Sequence, residues 1–75
     1  MEKIFRDDFG NTARISEVMT LPYKGAKRKQ KSYKLSITAD YDDDFLYYVS
    51  IYETEKDAKN DLKVFSCNTW KEVKQ

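Results

Sequence analysis

The chain has 75 residues, a formal net charge of +1, no histidine and a single cysteine. Because this length suits one small domain, we predict a single domain over residues 1–75. The residue inventory excludes a Ser-His or Cys-His nucleophile pair, an intramolecular disulfide and a cysteine-rich zinc site.

Two short strands and a turn are predicted at the start of the chain. The first strand covers residues 3–7, and Gly10 in the turn that follows tolerates a positive φ, which favours a hairpin. The second strand covers residues 12–19, where apolar and polar side chains alternate with period two. Val18 falls out of phase, which predicts a bulge or an early end of the strand near Glu17.

Residues 20–31 are predicted to form a long basic loop. Pro22 and Gly25 interrupt regular structure there. The loop has five cations and no acid, and the cations are Lys24, Lys27, Arg28, Lys29 and Lys31. Loops of about a dozen residues in a small domain are usually functional or disordered. Two interpretations remain open: a solvated connection, or a surface that contacts nucleic-acid phosphates or an acidic partner.

The third strand is predicted over residues 32–39, where apolar and polar side chains alternate throughout. This pattern indicates an antiparallel sheet with one buried face and one wet face. A turn follows, and its four acids are Asp40, Asp42, Asp43 and Asp44. Because the turn lacks the glycine and glutamate of a calcium-binding loop, we expect a solubilising turn and no metal site.

A fourth strand is predicted over residues 45–53, and its alternating side chains must be divided between two faces. The core face is predicted to hold Tyr47, Val49 and Ile51. Tyr48 and Tyr52 then point to the open face, where they would form a protein-interaction surface or stack on bases.

A helix is predicted after the fourth strand. Thr54 is a suitable N-cap, and Asp57 follows it at the third helical position in a variant of the capping box. Ala58, Leu62 and Phe65 are spaced to form one apolar stripe. For residues 68–75 a short helix is the first prediction, and a fifth strand is the alternative.

The predicted fold is α+β, a four-stranded antiparallel β-meander packed on one C-terminal α-helix, with a short terminal helix or strand. Hairpin connections make a meander the simplest topology. The expected core residues are Ile4, Ile15, Leu35, Ile37, Tyr47, Val49, Ile51, Ala58, Leu62, Phe65 and Trp70. In a meander the basic loop and the acidic turn lie at opposite ends, so an electrically bipolar molecule is expected.

The run Tyr48-Val49-Ser50-Ile51-Tyr52-Glu53-Thr54-Glu55-Lys56-Asp57-Ala58 resembles the arm-type DNA-binding domain of tyrosine integrases. That resemblance implies a three-stranded sheet packed on a helix, with the sheet facing DNA. It covers only residues 48–58, in a common supersecondary unit. The chain departs from the pattern by an extra strand and by an expected lack of a basic sheet face, since Lys34 is the only cation on the third predicted strand. We therefore do not assign the chain to that family.

The sequence predicts a small non-enzymatic binding module, because no nucleophile constellation is present. A protein is the first predicted partner, bound through Tyr48 and Tyr52 or through a sheet edge. The alternative is a nucleic-acid-binding domain that uses the basic loop from Lys24 to Lys31. No cofactor, metal or small-molecule substrate is expected.

The predicted location is the cytoplasm. The N-terminal residues lack the apolar region of a signal peptide, and no apolar run reaches the ~20 residues that span a bilayer. The absence of a disulfide framework agrees with a reducing compartment. No membrane association is expected.

Overall fold

The computed structural model describes residues 2–39 and 42–73, except the side chains of residues 42–47. Its elements are β1 (Glu2–Arg6), β2 (Thr12–Thr20), β3 (Gln30–Ala39), β4 (Asp42–Tyr52), α1 (Glu55–Leu62), a short 3-10 helix (Ser66–Asn68) and β5 (Lys71–Val73). The strands form one antiparallel sheet in the order β4-β3-β2-β1-β5, and α1 packs against one of its faces. The α+β class and the four-strand meander are confirmed, and a fifth strand is added at one edge.

The turn between β1 and β2 is held by the side chain of Asp7. One carboxylate oxygen accepts hydrogen bonds from the backbone N–H groups of Phe9, at 3.0 Å, and Asn11, at 2.7 Å. The backbone N–H of Asp7 donates to the carbonyl of Asn11 at 3.2 Å. Gly10 has a φ of 84°, a conformation that side chains with a β-carbon rarely adopt. The predicted hairpin is confirmed.

The pairing of β2 with β3 runs in continuous register over the whole of β2. The bulge or early end predicted near Glu17 is therefore wrong. Val18 lies opposite Ser32, on the sheet face that α1 does not cover. Val18 is out of phase with the core because its side chain lies half-buried on the face that α1 does not cover. The strand itself continues past Val18 to Thr20.

The hydrophobic core lies between α1 and the sheet face beneath it. Its buried residues are Phe5, Ala13, Ile15, Leu35, Ile37, Ala58 and Leu62. Ile4, predicted in the core, is only half-buried. Phe5 takes that place because it lies opposite the fully buried Ala13 in the β1–β2 register. Phe65 and Trp70 pack against this core and are partly buried.

The phase of β4 is opposite to the predicted one. Tyr48 lies opposite the buried Ile37, and Tyr52 shares its phase, so both tyrosines face α1. Val49 and Ile51 are on the open face, and each is 48% exposed. The prediction failed because both phases of this strand carry large apolar side chains, and alternation alone does not select the buried one.

The beginning of β4 also differs from the prediction. Because β4 starts at Asp42, the aspartates Asp42, Asp43 and Asp44 belong to a strand and not to a turn. The register of β3 with β4 is irregular on both sides of Thr38, where extra residues of β4 are accommodated. Asp40 and the side chain of Tyr47 lie outside the described residues.

α1 begins and packs as the sequence predicts. The Thr54 hydroxyl accepts a hydrogen bond from the backbone N–H of Asp57 at 3.1 Å, which caps the helix. Ala58 and Leu62 are buried against the sheet, and Phe65 is half-buried beyond the helix end. Among residues 2–39 and 42–73, no helix is long and apolar enough to cross a membrane.

The C-terminal segment returns to the sheet, so the predicted short helix is wrong and the alternative of a fifth strand is confirmed. Three consecutive residues, Ser66, Cys67 and Asn68, adopt left-handed φ values of 53°, 51° and 59° and reverse the chain. The hydroxyl of Thr69 then accepts a hydrogen bond from the backbone N–H of Asp8 at 3.1 Å. These contacts hold β5 against β1.

Candidate nucleic-acid interface

The sheet face that points away from α1 carries a line of positive charge. Strand alternation and the observed register place four cations there, one on each of four neighbouring strands. We call this set the basic diagonal, and its members are Lys71 on β5, Arg6 on β1, Arg14 on β2 and Lys34 on β3.

The four cations follow one path across the sheet, with one direct step and two diagonal steps. Arg6 lies directly opposite Lys71. Arg14 lies opposite Ile4, so it is the diagonal neighbour of Arg6, and Lys34 is related to Arg14 by the same step. Diagonal neighbours in an antiparallel sheet are about 7–8 Å apart. The arrangement therefore offers four cations along one line, with the directly opposed pair Arg6 and Lys71 closer together than the two diagonal pairs.

Among the side chains that the structure describes, little negative charge balances this line. Among strand residues whose side chains are described, Glu2 is the one acid on the open face, and it accepts a hydrogen bond from the Ser16 hydroxyl at 3.2 Å. No salt bridge within the described residues involves the basic diagonal. Like charges directly opposite each other, as in Arg6 and Lys71, destabilise a sheet. Because the repulsion between these cations lowers the stability of the sheet, the surface is better suited to binding an anion than to stabilising the fold.

The sequence-based expectation that the sheet lacks a basic face is wrong. It considered Lys34 alone, whereas the other three cations lie on three different strands. The missing signal was the combination of strand phases: the turn at Gly10 pairs β1 with β2 so that Arg6 and Arg14 share a face. The position of Lys71 on this face was not predicted, because Lys71 joins the face only through the fifth strand.

The basic loop lies at the tip of a projecting hairpin. The last β1 pair joins Glu2 with Ser16, and the last β4 pair joins Tyr52 with Tyr33. Residues 17–32, which we call the hairpin arm, extend beyond both neighbouring strands. This arm contributes to an elongated molecule of 42 × 24 × 23 Å.

The structure brings four of the five predicted loop cations together as exposed side chains, namely Lys24, Lys27, Arg28 and Lys29. Lys31 lies on β3 and is 3.8 Å from a carboxylate oxygen of Glu17, an exposed ion pair of small energy. Residues 18–39 contain no acid. The arm therefore presents concentrated positive charge at its tip.

The loop tip also forms an open hollow of about 410 Å³. Its walls are Pro22, Tyr23, Gly25, Ala26, Lys27 and Arg28. A hydrogen bond of 3.1 Å from the backbone N–H of Ala26 to the carbonyl of Tyr23 closes a turn, and Gly25 has a φ of 89°. Tyr23 remains 69% exposed. Aromatic, small and cationic side chains therefore converge on one concave surface.

Tyr48 and Tyr52, predicted on the open face, bind the helix instead. Both hydroxyls donate to Oδ2 of Asp61, from Tyr48 at 2.7 Å, and the two hydroxyl oxygens are 2.9 Å apart. The hydrogen bonds from Tyr52 and Tyr48 lower the pKa of Asp61. Burial, with the nearby Asp61, raises the pKa of Tyr52. These tyrosines join β4 to α1, so the predicted placement of an interaction surface on them is wrong.

Comparison with known proteins gives no relative from which a function could be transferred, so the site is interpreted from its chemistry. No protein-family model, curated protein or solved structure matches this chain. The basic diagonal and the loop cations offer guanidinium and ammonium donors to oxyanions. Such donors bind phosphate groups by charge-assisted hydrogen bonds.

Proposed function

We propose that the protein binds nucleic acid by its phosphate backbone, using the basic diagonal and the basic loop. The observation that carries the proposal is the alignment of four cations from four strands on one open face. Contacts from arginine and lysine to phosphates position most nucleic-acid-binding proteins.

The distribution of arginine supports this proposal. The chain contains three arginines, Arg6, Arg14 and Arg28. Two belong to the basic diagonal and one to the basic loop. A guanidinium presents a planar fork of donors that matches two phosphate oxygens, which a lysine ammonium does not. Concentration of every arginine in these two places favours a phosphate ligand over a general anion.

The proposed binding must depend steeply on salt. Each phosphate neutralised contributes about 0.7–0.9 to the slope of log K against log salt concentration. Four contacts from the basic diagonal therefore predict a slope of about −3, and contacts from the basic loop make it steeper. A partner held by apolar contacts shows almost no such dependence.

The test is fluorescence anisotropy of a labelled oligonucleotide at salt concentrations between about 50 and 200 mM. The key variant is Arg14→Gln/Lys34→Gln, which removes two charges from the basic diagonal. The matched control is Lys56→Gln/Lys63→Gln, which removes two exposed charges on the α1 side. We expect the first variant to reduce the salt slope by about 1.4–1.8 and the control to leave it nearly unchanged. Equal effects of the two variants would show that net charge alone drives binding.

A second candidate function is protein binding at the β4 edge of the sheet. Val49 and Ile51 favour it, since both are 48% exposed on a strand that is paired on one side only. An extended peptide can add to such an edge through backbone hydrogen bonds. The variant Val49→Lys/Ile51→Lys should lose binding of this kind, and the affinity of the wild type should not depend on salt. Isothermal titration with an extended peptide measures both.

A further inference from the structure

The tip of the hairpin arm exposes apolar side chains among its cations. Leu21 is 50% exposed and Tyr23 is 69% exposed, and Pro22 lies between them. A solvated basic loop has no need of a large aromatic side chain. The Tyr23 ring lines the hollow beside Lys27 and Arg28, a combination that suits a ligand with both an apolar surface and a negative charge.

We propose that this hollow holds one unpaired nucleobase, stacked on the ring of Tyr23, while Lys27 and Arg28 contact the adjoining phosphates. The inference rests on the proposed function and adds the kind of nucleic acid to it, namely a single strand. The volume of the hollow, about 410 Å³, lies within the ~300–1,000 Å³ range of small-molecule sites.

The composition of the hollow agrees with a nucleotide. A base has a flat apolar face that stacks on an aromatic ring, and every base has one, so stacking requires no particular sequence. The cations Lys27 and Arg28 line the same hollow as Tyr23, so ring and charge act on one ligand. Gly25 and Ala26 also line the hollow, and neither has a bulky side chain.

The exposed ring favours an unpaired base over a duplex. In a duplex the faces of the bases are already stacked on one another, and only their edges are accessible in the grooves. A ring at the tip of an arm stacks at least cost on a base that is free of its neighbours, because insertion into a duplex must first unstack a base step. The basic diagonal, in contrast, requires only phosphates.

The test compares an oligothymidylate with an abasic strand of equal length and charge, by fluorescence anisotropy. Tyr23→Ala should weaken binding of the oligothymidylate by about 5- to 150-fold. Tyr23→Phe should keep the affinity within about twofold, because the ring is retained. The same variants should leave abasic-strand binding unchanged. The matched control is Phe9→Ala, which removes a 67% exposed ring from the β1–β2 turn and should change neither affinity.

A second measurement places the base directly. An oligonucleotide that carries bromouracil, photo-crosslinked and digested, should yield a crosslink at Tyr23. Equal binding of abasic and base-bearing strands, or no effect of Tyr23→Ala in a variant that circular dichroism shows to be folded, would overturn the inference and leave the phosphate-binding proposal intact. If neither strand binds but a duplex of equal length does, only the base-stacking inference is wrong; if the duplex also fails to bind, both proposals are wrong.

Discussion

The two faces of the sheet treat their charged groups in opposite ways. On the covered face, charged groups join the sheet to the helix: Lys3 lies 2.6 Å from Glu55, and Asp61 accepts hydrogen bonds from two tyrosines. On the open face, the basic diagonal has no salt-bridge partner among the described residues. The comparison shows that charges on one face connect the helix to the sheet, and that those on the other remain accessible to an external anion.

The largest expected difference between the faces is in stability. Ile37 is fully buried beneath α1. Replacing it by alanine should lower the free energy of unfolding by about 2–4 kcal/mol, since it removes apolar contacts and leaves a cavity. Arg14→Gln on the opposite face should change it by no more than about 0.5 kcal/mol. Urea denaturation measures both, and similar losses for the two variants would contradict the division between the faces.

The polar connection on the covered face should depend on pH. Hydrogen bonds from Tyr52 and Tyr48 lower the pKa of Asp61 in the folded state. The carboxylate therefore contributes stability above its unfolded pKa of about 3.9, and that stability is lost as pH falls through the lower folded value. Asp61→Asn should be less stable by about 1 kcal/mol near neutral pH, with a difference that shrinks in acid.

Denaturation at a series of pH values checks the prediction for Asp61. Asp8→Asn is the control, since Asp8 is exposed. A constant difference between wild type and Asp61→Asn from neutral pH into acid would show that the ionised carboxylate is not what the tyrosines stabilise.

The helix cap should have a smaller effect. Thr54→Ala removes the oxygen that accepts the Asp57 N–H and should cost about 1 kcal/mol. Thr54→Ser keeps that oxygen and should restore most of the loss. Thermal unfolding followed by circular dichroism distinguishes the two variants. Equal destabilisation would mean that the methyl group matters and the cap does not.

The smallest stability effect is expected at the basic loop. Lys27→Ala/Arg28→Ala/Lys29→Ala alters exposed side chains and should change the free energy of unfolding by no more than about 0.5 kcal/mol. The same variant should weaken oligonucleotide binding strongly. A large loss of stability would instead show that the loop is docked against acidic residues of the same chain, and the proposed interface would lose one of its two parts.

The parts of the fold that local pattern controls were predictable from the sequence. The turn at Gly10, the cap at Thr54 and the stripe of Ala58 and Leu62 each depend on neighbouring residues, and the structure confirms all three. The phase of β4 was not predictable, because Tyr48 and its neighbours are apolar on both faces and the choice depends on contacts with α1.

The candidate site was predictable only in part. The loop cations are contiguous, so the sequence alone brings them together. The basic diagonal depends on register between strands that are distant in the chain, and Lys71 reaches it through a reversal at Ser66, Cys67 and Asn68 that no glycine signals. Non-local pairing therefore creates the part of the site that a sequence pattern does not show.

If the open face and the arm bind nucleic acid together, NMR titration with an oligonucleotide should show contacts in both regions at once. The Nε–H signals of Arg6, Arg14 and Arg28 report the two proposed contact regions, and these are all the arginines of the chain. The indole signal of Trp70, whose Nε1 donates to the carbonyl of Phe65 at 3.2 Å, is an internal reference. All three arginine signals should shift while the indole signal stays in place; a titration that moves Trp70 and leaves Arg6 and Arg14 unmoved would contradict the claim.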